Sequence, residues 1–257
     1  MPADDAVQFL AGSSDRLALL TSLADGPASP SELASERSLS RRSVQRNLAA
    51  FVDRGWAETD GGTYDLTVTG ALVAEKHAAY VADLERVDEF APFFRHLPDR
   101  DHTPDPAWLA DAELTVSTSE DPQAPVHRYV TRVEGLDTGR IQMLSPVLSR
   151  LFHDAHASLA IEGVHTDLVM PAAMVERARE RNPIEFKGVV AVDVLTLYRH
   201  PEPFSVGLTL ADDRLLMAAY DDEKQLQALV ESANPAFHAW ASALFDRYQE
   251  SAERVRR

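Results

Sequence analysis

The chain has 257 residues, 45% of them hydrophobic, and carries 25 basic and 41 acidic residues for a formal charge of −16. That balance excludes a general polyanion or anionic-membrane binder, because the mean field repels phosphate, and the hydrophobic content excludes wholesale disorder. The absence of cysteine excludes disulfides, thiolate chemistry and cysteine-based zinc or iron–sulfur sites.

Three lysines (Lys76, Lys187, Lys224) stand against twenty-two arginines. Acid excess with scarce lysine suits a salt-filled cytoplasm, where dense carboxylates keep a surface hydrated, and points to a halophilic source. The opening MPADDAVQFLAGSSD has no basic region and no long apolar run, so no signal peptide is expected. No apolar run approaches the roughly 18 residues of a membrane span. A cytoplasmic protein without a membrane partner is expected.

In chain order, Asp15 and the serines before it cap a first helix with Leu17, Leu20 and Leu23 on its apolar side. Asp25-Gly26-Pro27 stops it, and Ser29-Pro30 starts a short second helix. Ser40 caps a third helix reaching Arg54, which Gly55 ends. Trp56–Thr59 and Tyr64–Val68 alternate like strands around an Asp60-Gly61-Gly62 turn. This is the element order of a winged helix-turn-helix domain over residues 1–70.

Thr69 then caps a long helical stretch toward Leu97, with a linking or dimerisation helix expected over 71–97. Val73, His77, Tyr80, Leu84 and Val87 fall on a short heptad pattern suited to joining two protomers. The alternative is an amphipathic helix lying on its own domain. Pro92 should kink or end the regular part. Residues 98–108 (PDRDHTPDPAW) read as a Pro/Asp-rich linker.

Beyond it, strand-like and helical runs alternate through residues 98–257. Strands are expected at Glu113–Ser117, Arg140–Leu144, Thr166–Met170, and near 189–199, 204–210, 214–219 and 226–230. Helices are expected at Val126–Leu136, Pro146–Ala160, Ala172–Arg181 and from Asn234 to about Val255. Alternation followed by a meander implies a mixed α/β sheet, giving an α+β or α/β protein overall.

Residues 37–54 concentrate five arginines (Arg37, Arg41, Arg42, Arg46, Arg54) against one acid, Asp53. On a helix at about 100° per residue, Val44, Leu48, Phe51 and Val52 share the core face. Arg42 and Arg46 point away, flanked by Ser43 and Gln45, while Arg41 can swing outward from the first turn. Long donors in the N-terminal half can reach base edges or phosphates of double-stranded DNA. Ser40 and the free N–H groups beside it can bind phosphate. The wing is acidic and glycine-rich and offers Tyr64 or Thr63 hydroxyls rather than lysines.

Residues 14–70, through LSRRSVQRNLAAFVDRGW and DGGTYDLTVTG, resemble the winged-helix domains of archaeal transcriptional regulators of the ArsR/MarR type. WLADAELTVSTSEDPQAPVHRY (108–129), LSPVLSRLFHDA (144–155), FSVGLTLADDRLLMAAYDDEKQLQALVES (204–232) and NPAFHAWASALFDRYQE (234–250) resemble the archaeal methanogenesis-regulator effector domain. The resemblance implies a DNA-binding transcriptional regulator with a C-terminal sensing or assembly domain. It also implies a phospholipase D-like α/β fold.

That fold's chemistry needs a His-x-Lys pair, with histidine as nucleophile. Here His165 is followed by Thr166 and Asp167, and no lysine lies two after a histidine, so no enzyme is expected. His153 and His156, three apart on a helix, lack an evident third ligand and read as surface histidines, so no metal or cofactor is expected. An effector pocket is sought beyond strand ends. Its candidates are Arg128 and Arg132 on one helix face, Ser145 opening a helix after a strand, and Tyr198, Arg199 and Tyr220 at other strand ends. A homodimeric regulator with an unidentified small-molecule effector is the leading expectation. A protein-interaction adaptor that uses the winged helix without DNA is the alternative.

Overall fold

The computed structural model describes residues 3–191 and 193–256. Contacts divide the chain into two compact units, Met1–Glu85 and Arg86–Arg257.

The first unit begins with α1 (Ala3–Ala11), a helix that the sequence did not lead us to expect. It continues through α2 (Ser14–Ala24), α3 (Pro30–Glu36) and α4 (Arg41–Asp53) to the hairpin β1 (Ala57–Asp60) and β2 (Thr63–Leu66). The start of α3 is fixed by a complete capping box. The Ser29 hydroxyl accepts from the Glu32 amide, and the Glu32 carboxylate accepts from the Ser29 amide at 2.8 Å. The expected Ser40 cap of α4 is present, its hydroxyl accepting from the Ser43 amide at 3.1 Å. The hairpin turns through Gly61 and Gly62, both at positive φ, as a two-residue turn of this hand requires. Ala28 and Tyr64 exchange backbone hydrogen bonds and add a third, one-residue edge.

The core of this unit gathers Leu19, Leu20, Leu33, Val44, Leu48, Phe51 and Trp56, all essentially sealed from water. Burying each large apolar side chain contributes about 1.5–3 kcal/mol. Two expectations about which side chains are buried are corrected. Leu19 and Leu20 are both fully buried on α2, and Leu17 is only half-buried. On α4, Val52 is 36% exposed and Asn47 takes the buried place, held by Arg16 Nε at 3.4 Å.

The long helix α5 runs Val68–Glu89. Thr67, not Thr69, closes its start: the Thr67 hydroxyl accepts from the Gly70 amide at 3.1 Å. Phe90 interrupts the helix, and a short α6 (Ala91–Phe94) follows with Pro92 in its first turn. Residues 98–108 are not a free tether. They form two 3-10 turns capped by Asp99 and Asp105, and Trp108 packs near Phe237 and Trp240.

The second unit is built on an eight-stranded sheet. Its strands are β3 (Glu113–Val116), β4 (Arg140–Leu144), β5 (His165–Pro171), β6 (Leu195–His200), β7 (Val206–Leu210), β8 (Leu215–Tyr220), β9 (Leu226–Ser232) and β10 (Glu253–Arg254). They lie in the order β10-β6-β5-β4-β7-β8-β9-β3, with β4, β5 and β6 parallel and the remaining pairs antiparallel. The helices are α7 (Ala124–Glu134), α8 (Arg150–Ile161), α9 (Ala172–Arg181), α10 (Pro183–Ala191) and α11 (Pro235–Glu250). The run LLMAAY of β8 is buried throughout because both sheet faces are covered. Leu215, Met217 and Ala219 enter one core with α11, while Leu216, Ala218 and Tyr220 enter another with α7 and α8.

Three local expectations are corrected here. Residues 146–149 are irregular, and α8 starts at Arg150 with Ser149 as its cap, because Pro146 follows a strand end rather than a helix start. The apolar run before β6 belongs to α10 up to Ala191 rather than to a strand; Val192 lies outside the described residues. The last helix ends at Glu250, and Glu253–Arg254 instead pair with Arg199 and Tyr198 as an edge strand.

Candidate nucleic-acid interface and an arginine cluster

The fold sorts the arginines of the first unit into two kinds. Arg16 reaches Asn47 and the Phe9 carbonyl. Arg37 contacts Glu36 and donates to Ser22 at 2.7 Å. Arg54 pairs with Asp5 at 3.2 Å and lies over the Phe9 ring at 3.8 Å. These three hold helices together. Arg41, Arg42 and Arg46 are exposed and have no ion pair among the described residues, and Gln45 and Ala49 are exposed with them. The opposite face of α4 carries the buried Val44, Asn47, Leu48 and Phe51. The outer face is therefore a rigidly mounted row of free guanidinium groups.

The flanks of that row are less available. Ser40 spends its hydroxyl oxygen on the cap. Ser43 is half-buried and donates to Asp15 at 3.0 Å, so it faces α2. In the hairpin, Thr63 donates to the Asp60 carbonyl at 2.7 Å. Tyr64 is half-buried and leans on the core of this unit. Glu58, Asp60 and Asp65 are exposed there, so the hairpin presents negative charge.

On α5, Tyr80, Leu84 and Val87 are exposed at 56%, 50% and 42%. Val73 is not part of that exposed stripe: it packs on the core of the first unit. His77 is half-buried.

The six residues considered for an effector pocket do not converge. Arg128 and Arg132 do share a face of α7, and both reach the buried carboxylate of Glu231 on β9. Ser145 does not open a helix; its amide donates to the Val169 carbonyl at 3.0 Å and its hydroxyl to the Val147 carbonyl, leaving no amide for an anion. Tyr198 and Arg199 lie on β6, with four strands between it and β9 in the sheet. Arg199 is held by Glu253 at 2.6 Å, with Glu176 beyond. Tyr220 is buried against Gly207, and burial pushes its hydroxyl pKa well up.

Sequence reading missed Arg214 and Glu231. Arg214 also binds the Glu231 carboxylate, at 3.0 Å. The available signal was Glu231 itself, an acid inside the apolar run LQALVES, since a charge on a buried strand demands partners. A second polar set was also missed. The Tyr129 hydroxyl, in the core, meets Thr209 at 2.8 Å and His156 at 2.9 Å. His156 thus turns inward, whereas His153 lies beside Asp154 at 3.5 Å. His165 stands 3.6 Å from Asp167, whose carboxylate accepts from Arg140 at 2.6 Å.

Comparison with known proteins gives two family matches. The model described as the HVO_A0261 N-terminal domain matches residues 4–89. The model described as methanogenesis regulatory protein FilR1, middle domain, matches residues 122–251. No curated protein matches the chain. Among solved structures, TrmBL2, described as an archaeal chromatin protein with a novel mode of DNA binding, is 17% identical over 99% of this chain and 100% of its own, with a TM-score of 0.44. Nuc from Salmonella typhimurium, described as a phospholipase D family member, is 12% identical over 57% of this chain and 100% of its own, with a TM-score of 0.46. NucT from Helicobacter pylori is 9% identical over 56% of this chain and 99% of its own, with a TM-score of 0.45. With the FilR1 model spanning half its length, the chain belongs to the family of the methanogenesis regulatory protein FilR1 middle domain.

Proposed function

We propose that the chain is a DNA-binding transcriptional regulator of a halophilic archaeon, working as a cytoplasmic homodimer. Its first unit acts as a winged helix-turn-helix, with α4 as the recognition helix and Arg41, Arg42, Gln45 and Arg46 as the readers. Ser40 and Ser43 position α4, and Tyr64 supports the wing. The stripe of α5 containing Tyr80, Leu84 and Val87 joins the protomers. The second unit senses a small effector or assembles further copies.

One observation carries this reading. In a chain of charge −16, three arginines stand without an ion pair among the described residues on one exposed helix face, while the other arginines of that unit are engaged. A merely solvated face in this composition would carry acids. Arginine suits bidentate contact with guanine and glutamine with adenine. The acidic hairpin favours base contacts from α4 over broad phosphate clamping.

The test is selection of bound duplexes from a random pool by the full chain in molar potassium chloride. The wild type should enrich a discrete sequence. Arg42→Ala with Arg46→Ala should lose that enrichment while its unfolding midpoint stays unchanged. Failure of the wild type to enrich any sequence would leave the adaptor role as the better account of the exposed arginines.

A further inference from the structure

Glu231 is 4% exposed and sits on β9 among apolar neighbours. Its Oε2 accepts from Arg132 Nε at 2.6 Å and Arg128 Nη2 at 3.0 Å, and its Oε1 accepts from Arg214 Nη1 at 3.0 Å. One buried carboxylate therefore orients three guanidinium groups and neutralises one of them. The surplus is met only in part. Glu113 stands directly opposite Glu231 in the β3–β9 register and is exposed. Its carboxylate bonds to Arg128 but stays 3.7 Å from Arg132, beyond hydrogen-bond reach. Arg214 has no second acid among the described residues.

A buried carboxylate needs partners, but one or two arginines satisfy it. The third arginine, and the unused N–H groups of Arg132, border a cavity of about 160 Å³ also lined by Thr131, Gly135, Leu216 and Glu231 itself, whose charge the three guanidinium groups outnumber. Drug-sized ligands occupy pockets of about 300–1,000 Å³, so this space fits a group of only a few heavy atoms. Its walls offer fixed planar donors, the geometry that carboxylate and phosphate oxygens match. Holding the donors in place beforehand removes much of the ordering cost of binding.

We propose that this cavity binds a small oxyanion, a carboxylate or phosphate group, between Arg132 and Arg214, and that Glu113 weakens its binding by occupying the same cationic cluster. The site supplies a ligand class for the sensing role proposed above. It rests on that reading only for its purpose, because its test measures binding to the second unit and not DNA recognition. Contact geometry decides the affinity at high salt, where the Debye length falls to about 3 Å and long-range attraction is lost.

Isothermal titration of the full chain, at fixed ionic strength, with inorganic phosphate in one series and succinate in another tests the site. Saturable binding of either anion is expected, and the series that binds identifies the oxyanion. Arg214→Gln should weaken it roughly tenfold or more, the loss of a charge-assisted hydrogen bond. Glu113→Gln, at an exposed position, should tighten it several-fold. Absence of binding in both the wild type and Glu113→Gln overturns the proposal, as does equal affinity in Arg214→Gln. Should Arg214→Gln fail to fold, the decision passes to Glu113→Gln, where affinity equal to the wild type overturns it.

Discussion

Arg46 and Arg54 lie about two turns apart along the same stretch of chain, yet Arg54 is clamped by Asp5 and Phe9 while Arg46 meets no acid among the described residues. The two therefore separate function from stability. Arg54→Ala removes an ion pair to a half-exposed carboxylate and a cation–π contact, a loss of about 1–1.5 kcal/mol. Arg46→Ala should change stability by less than about 0.5 kcal/mol. Urea unfolding of the two variants checks the first pair of values. Operator affinity should show the reverse order, falling by about 1–3 kcal/mol for Arg46→Ala. Equal stability losses would mean that Arg46 has a structural partner in solution.

Gly70 begins α5 against the backbone of Trp56. A β-carbon placed on it would stand 1.8 Å from the Trp56 carbonyl oxygen, which already accepts from the Thr67 amide at 3.0 Å. No side-chain rotation relieves a clash with backbone. Gly70→Ala should destabilise the first unit by about 1–3 kcal/mol, even though alanine is the better helix former by about 1 kcal/mol. A melting temperature equal to or above that of the wild type would contradict this packing.

The local elements were legible because their signals are chemical and short-range. Ser29-Pro30, Ser40, Gly61-Gly62 and Asn234 each dictate a cap or turn by themselves. The outward placement of Arg42 and Arg46 followed from helical periodicity alone. What failed depended on contacts distant in sequence. Helix α1 lacks a strong start signal and is held by Phe9 packing on Phe51 and Trp56. The apolar run of α10 has no period that distinguishes helix from buried strand. The cluster on Glu231 joins positions about 100 residues apart, such as Arg132 and Glu231, so no spacing could reveal it.

His156 should make the fold acid-sensitive. Burial, reinforced by repulsion from His153, pushes its ring pKa from the ordinary 6.5 down to about 4. The unfolded chain gains a proton as pH falls through 6.5, and the folded chain does not until about 4. The stabilisation is thus complete above pH 6.5 and is lost between 6.5 and 4, a fall of about 2–3 kcal/mol from this group. Many carboxylates also titrate at the lower end, so the readout is a difference. His156→Gln should give a shallower decline in unfolding free energy than the wild type over that window. Parallel curves would mean that the ring is charged or solvated in the native state.

The exposed stripe of α5 gives the sharpest test of assembly. Tyr80, Leu84 and Val87 recur at helical spacing on one side, with Leu84 half exposed at its centre. A glutamate there would leave a single chain undisturbed, since the position makes no core contact, but would place a charge in the centre of a helix pair. Leu84→Glu should therefore reduce the light-scattering mass from twice to once 28.3 kDa without lowering the unfolding free energy of either unit by more than about 0.5 kcal/mol. Val73→Glu should behave differently and unfold the first unit, because Val73 packs on its core. A two-fold dimer reads two half-sites, so the monomeric variant should bind a single half-site weakly and lose dependence on half-site spacing. If the mass of Leu84→Glu stays at that of the dimer, the protomers meet elsewhere, and the spacing of half-sites is set by the second unit instead.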